Sequence, residues 1–189
     1  MSKFQDDLQY SHEQAQAEYW QVAYQNYFND PDVKQEMVLP MGGNADSGID
    51  KFVNLSNGMR FSVDEKVHRK SEKYAPNTSI FLEYRTLWNN GYETAGWCRD
   101  PFKAATVDFV SYYKEELGVV YMLPVYEIYF LINEFETSGR EFAKSVATRN
   151  DVGERYYFTY NYLLPAERLF DMLNHRRQAI TIPTTPSGV

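Results

Sequence analysis

Asp50, Asp64 and Lys66 are the residues of this chain whose types and spacing could do chemistry. They stand in GIDKFVNLSNGMRFSVDEK, residues 48–66. Two carboxylates offer hard oxygen ligands of the kind Mg²⁺ takes. An ammonium beside them can orient or deprotonate a water, or stabilise negative charge on a phosphate. Together these groups suit hydrolysis of a phosphate ester.

The elements that must position them are two strands and a turn. Asn57-Gly58 is a hairpin signal, since both residues tolerate positive φ. Residues 60–67 alternate, so Phe61, Val63, Glu65 and Val67 share one face and Ser62, Asp64 and Lys66 the other. A hairpin over residues 48–67 brings Asp50, on its first strand, back beside Asp64 at one edge of a sheet.

An Asp, about a dozen further residues, and then hydrophobic-Asp-x-Lys on the next strand resembles the active-site pattern of the PD-(D/E)XK, or restriction-endonuclease-like, nucleases. Asp50 matches the first acid, and Asp64 and Lys66 match D-x-K. The pattern's leading Pro is absent, with Gly48-Ile49 in its place. Lys66-Val67-His68-Arg69-Lys70, FLEYR at 81–85, GW at 96–97, DFVSYY at 108–113 and YMLP at 121–124 are similar to phage and bacterial proteins of that superfamily. The resemblance spans roughly residues 40–170. It implies an α/β (α+β) fold with a central mixed sheet of four or five strands flanked by helices. It implies Mg²⁺, with Mn²⁺ as a substitute, held by Asp50, Asp64 and the backbone carbonyl of Glu65, with Lys66 as the third catalytic residue. It also implies an acid on the first helix, for which Glu13 is the candidate. The partner it implies is nucleic acid, DNA in the first instance, and the compartment is the host cytoplasm if the protein is phage-encoded.

Composition narrows the class. At 189 residues, 43% hydrophobic, the chain has enough apolar surface for one core and reads as a single domain over 1–178 with a flexible tail at 179–189. Sixteen tyrosines suit half-buried sheet and helix-edge positions, and base stacking is the second use of such rings. A net charge of −7 excludes a broad cationic nucleic-acid surface. It leaves room for a local basic path, and Lys66, His68, Arg69, Lys70 and Lys73 form a basic run just after the two acids. That run reads either as a solvated strand end and loop or as a track for phosphates. The single cysteine, Cys98, rules out an intrachain disulfide and reads as a packed thiol. There is no 18-residue apolar run and no signal-peptide core, so the expectation is a soluble cytoplasmic protein with no membrane partner. A homodimer is left open.

Along the rest of the chain, residues 5–28 read as a helix stopped by Asn29-Asp30-Pro31-Asp32. GGNADSG, at 42–48, is a polar loop that does not match a phosphate-binding P-loop. Residues 79–87 read as a strand carrying Glu83, either a further acid near the site or half of a cross-strand ion pair. Strands are expected at 106–113, 121–123 and 155–162, and helices at 125–135 and 165–174, opened by Pro124 and Pro165. Residues 136–155 show no periodicity. A metal-dependent nuclease is the function this pattern expects. The alternative is an inactive protein of the same fold that binds a host protein or nucleic acid. An enzyme acting on small phosphates is a third reading.

Overall fold

Gly58 turns the chain in the left-handed region that its type permits, with no positive φ at Asn57. Gly58 takes φ 86°, and Asn57 Oδ1 accepts the Met59 N–H at 3.0 Å. The computed structural model describes residues 17–38, 48–68, 78–152, 155–173 and 179–181. Its helices are α1 (Glu18–Phe28), α2 (Pro101–Thr106), α3 (Val125–Thr137) and α4 (Ala166–Met172). Its strands are β1 (Lys34–Met37), β2 (Lys51–Asn54), β3 (Arg60–His68), β4 (Ser79–Trp88), β5 (Glu93–Ala95), β6 (Phe109–Lys114), β7 (Val119–Pro124), β8 (Lys144–Val152), β9 (Arg155–Pro165) and β10 (Ala179–Thr181).

These elements fall into two compact units. The first draws on residues 1–76, 109–123 and 178–189, and the second on 77–108 and 124–177. The fold is mixed α+β, as the sequence predicts, and the described strands form two sheets. One sheet has six strands and the other four. The units interleave along the chain, so no linker or composition shift marks their boundary in the sequence.

In the first unit the strand order is β1-β2-β3-β6-β7-β10. β2 and β3 pair antiparallel from Lys51↔Val63 to Asn54↔Arg60, and β3 pairs parallel with β6 from Val63↔Phe109 to His68↔Lys114. α1 covers one face. Trp20, Ala23 and Tyr24 from the helix pack in a buried cluster with Val53, Val63, Tyr113, Val120 and Met122. The helix ends at Asn29, which takes φ 52°, and Asp30 then accepts the Ser56 N–H at 2.7 Å, tying the helix end to the hairpin turn. The helix expected at 5–28 is thus present over Glu18–Phe28, and residues 5–16 lie outside the described residues. The flexible tail expected at 179–189 is corrected in part: Ala179–Thr181 pairs antiparallel with β7 and satisfies an edge that would otherwise stay open.

The second unit is an antiparallel sheet ordered β5-β4-β9-β8, with a register shift between Glu83 and Arg85. Most of its buried residues are apolar, among them Ile80, Leu82, Ile128, Ile132, Leu164, Leu169 and Phe170. The strand expected at 106–113 starts only at Phe109, because α2 precedes it. Asp100 caps that helix by accepting the Phe102 N–H at 2.8 Å, with Pro101 in its first turn. Residues 136–155, expected to hold no element, contain β8. No helix among the described residues is long and apolar enough to cross a membrane.

Candidate functional site

β2 begins at Lys51, so Asp50 stands just before the strand on which the sequence places it. Its backbone is still anchored: the Asp50 N–H donates to Val63 O at 2.9 Å, and Val38 N–H donates to Asp50 O at 2.9 Å. Backbone groups of alternate strand residues point to the same neighbour, so the N–H and C=O of Glu65 face the β2 side, past the start of that strand. The Asp50 side chain takes the place of a strand partner there. Its Oδ2 accepts the Glu65 N–H at 2.7 Å. The Glu65 carbonyl faces the same edge by the same geometry.

Asp64 lies in register with Val110 and is 1% exposed. Lys66 projects from the same face two residues on, 40% exposed, with its ammonium 2.6 Å from Asp64 Oδ1. The Asp50 carboxyl has the Asp64 carboxylate as a neighbouring negative charge. Crowding by protein atoms, and then the charge of Asp64, hold Asp50 above the usual carboxylate range. The Glu65 N–H and the Lys66 ammonium pull the other way. Of the three expected site residues, Lys66 meets Asp64 in an ion pair, and Asp50 binds the backbone N–H of the residue between them. Among the described residues no cluster of three or more His, Cys, Asp or Glu side chains is placed to hold a metal. An ion held here would have two carboxylates and a backbone carbonyl as protein donors, a set suited to Mg²⁺, which retains several waters.

The Glu65 side chain points the opposite way, under α1. Its Oε1 accepts from Tyr24 Oη at 2.7 Å and lies 2.9 Å from Lys51 Nζ. The Lys51 and Glu65 side chains are 3% and 6% exposed. Lys51 also donates to Gln35 Oε1 at 2.9 Å, Gln35 to Gln21 Oε1 at 2.7 Å, and Gln21 to Val33 O at 2.7 Å. Burial pushes the Glu65 carboxyl up to about 7, against the pull of the Lys51 ammonium and the Tyr24 hydroxyl. Burial, and then the Glu65 charge, raise Tyr24 in turn. None of Tyr24, Gln35 or Lys51 stands out in the sequence. The available signal is Glu65 itself, an acid on the otherwise apolar face of an alternating strand.

The remaining candidates separate. His68 lies on the Lys66 face at the end of β3, in register with Lys114 and 6.3 Å from the Tyr112 ring. Burial and the Lys114 charge draw its pKa down. Lys114, wholly buried, pairs with Glu116 at 3.2 Å. Glu83 belongs to the second unit, where its Oε1 accepts from Thr86 Oγ1 at 2.8 Å. Cys98 is buried, and burial raises its thiol pKa, in keeping with a packed side chain. Glu13, Arg69, Lys70 and Lys73 lie outside the described residues. No family model, curated protein or solved structure matches this chain.

Proposed function

We propose that this protein is a Mg²⁺-dependent phosphodiesterase acting on nucleic acid, DNA in the first instance, through a restriction-endonuclease-like arrangement of Asp50, Asp64 and Lys66. The observation that carries the proposal is the Lys66 ammonium 2.6 Å from Asp64 Oδ1, with the Asp50 carboxyl bound to the N–H of the intervening Glu65 at 2.7 Å. Asp50, Asp64 and the Glu65 carbonyl would hold the ion. When bound, the metal lowers the pKa of a coordinated water and shields charge on the phosphate. Lys66 has the exposure and position to orient the attacking water and to meet negative charge as it develops on the phosphate oxygens. Asp50 holds the edge of β3 through the Glu65 N–H and so fixes the spacing of the ligands.

Arg69 and Lys70 follow Lys66 after Val67 and His68 and are assigned to the phosphate backbone. Their replacement by Ala is expected to flatten the slope of log K against log salt by about one per lost contact, with metal binding unchanged. The founding test is cleavage of plasmid DNA, single-stranded DNA and RNA with Mg²⁺ or Mn²⁺ and with a chelator. Divalent-dependent cleavage that Asp64→Asn removes supports the reading, and no cleavage of any of the three overturns it.

One observation favours a second reading, a non-catalytic binding protein on the same scaffold. Asp64 is almost wholly covered and its charge is already met by Lys66. Tight capture of nucleic acid or of one host protein, without cleavage, would support it.

A further inference from the structure

The candidate site has a second ion pair directly behind it. Lys51 follows Asp50, and Glu65 sits between Asp64 and Lys66. In a strand, neighbouring residues face opposite ways. The same two segments that carry Asp50, Asp64 and Lys66 at one edge therefore carry Lys51 and Glu65 under α1, 2.9 Å apart and almost wholly buried. We propose that Lys51, Glu65 and Tyr24 are positioning residues: they clamp the start of β2 against β3 so that the Asp50 carboxyl is held against Asp64. The inference rests on the metal-site reading for its purpose, and on geometry alone for the clamp.

The geometry is specific. Asp50 is held to β3 by its own backbone bond to Val63 and by its side-chain bond to the Glu65 N–H. Past Lys51 there is no further β2 residue to fix that spacing. The Lys51–Glu65 pair supplies the missing cross-strand restraint at the last paired position. Tyr24 adds a bond from the helix to the same carboxylate oxygen, and Gln35 and Gln21 continue the connection from Lys51 to β1 and back to α1. Burying two charges is a poor way to gain stability, since a well-packed apolar pair of similar size does as well or better. A register or positioning duty is the recognised reason to retain one.

That difference separates the clamp from ordinary packing. The double variant Lys51→Met/Glu65→Leu replaces the pair with apolar groups. It is compared with wild type, with Glu65→Gln, which keeps the shape and the hydrogen bonds, and with Tyr24→Phe, which removes a single bond and leaves the ring. Three quantities are read: the thermal midpoint, Mn²⁺ affinity by calorimetry without nucleic acid, and hydrogen-exchange protection of the residue-65 amide under chelator. The last reports the Asp50 bond with no metal present.

The expected result is a double variant with a midpoint at or above wild type, Mn²⁺ affinity lower by roughly tenfold to a hundredfold, and loss of protection at residue 65 but not at Val63. Glu65→Gln is expected to stay near wild type in Mn²⁺ affinity and in residue-65 protection. If the double variant fails to fold, Tyr24→Phe decides, with a severalfold loss of affinity and protection expected. Unchanged affinity and unchanged protection in a folded variant overturn the clamp. If wild type binds no Mn²⁺, the metal reading fails, and residue-65 protection alone decides for or against the clamp.

Discussion

The two sheets differ in what they bury. In the first unit Lys51, Asp64, Glu65 and Lys114 are ionisable residues with almost no exposed side chain, distributed over both faces. In the second, the described buried residues are aliphatic or aromatic, with Thr86 and Asn161 as neutral polar members. Its charged groups stay at the surface, where Arg149 meets Asp151 at 3.0 Å and Arg85 lies 4.1 Å over the Tyr160 ring. Taking charge out of water is costly, so a sheet that does so repeatedly is constrained by something other than packing, and the second sheet shows what packing alone looks like in the same chain.

The comparison breaks first at Asp64. Asp64→Asn keeps the size and removes the charge that would hold a cation. Divalent-dependent cleavage is expected to fall by about three powers of ten or more, with the thermal midpoint little changed. An equal fall in activity and stability would make Asp64 a packing residue like those of the second sheet.

The largest effect expected in the second unit is steric. A Cβ at Gly96 would stand 2.3 Å from the Glu83 carbonyl oxygen, a backbone atom that cannot swing aside. Gly96→Ala should therefore cost about 3 kcal/mol in chemical denaturation. Mn²⁺ affinity should be unchanged where the first unit remains folded. A neutral Gly96→Ala would show that the backbone there shifts freely.

Next in size is a pH effect confined to the first sheet. Glu65 has a folded-state pKa near 7 against an ordinary 4.5, so the folded protein holds a proton that the unfolded chain has released. Its contribution is fully present below about pH 4.5 and is lost as pH rises to about 7, to a maximum of about 3 kcal/mol. Asp50 shifts in the same direction. Denaturation in chelator from pH 4.5 to 8 should show stability falling across that window, and Glu65→Gln should flatten most of the slope. A slope that Glu65→Gln leaves intact would locate the proton elsewhere. The smallest effect expected is Arg149→Ala, at most about 0.5 kcal/mol, because both partners of that pair are more than half exposed.

What the sequence makes legible follows the same division. The hairpin can be read because Asn57-Gly58 and the alternation of residues 60–67 agree, and that alone brings Asp50 to Asp64. β8 cannot be read because most of its side chains are exposed on both faces, so no apolar alternation exists to mark it. α2 leaves only its cap, Asp100-Pro101, and six residues are too few for a helical period. The clamp escapes because ionisable residues in a strand are assigned to solvent by default. Only the position of Glu65 among Phe61, Val63 and Val67 argues otherwise. The parallel pairing of β3 with β6 joins segments from two separate stretches of chain and has no local signature.

That pairing bears on how the protein is made. The hairpin of β2 and β3 is local and can close within microseconds of its synthesis. Its parallel neighbour, β6, emerges only after the whole 77–108 segment of the second unit. Until then Asp64 and the Lys51–Glu65 pair have no finished sheet around them, and the nascent chain carries solvated charges where the finished protein carries buried ones. The slow step of folding should be this long-range closure, and it falls on the segment that carries Asp64 and Lys66.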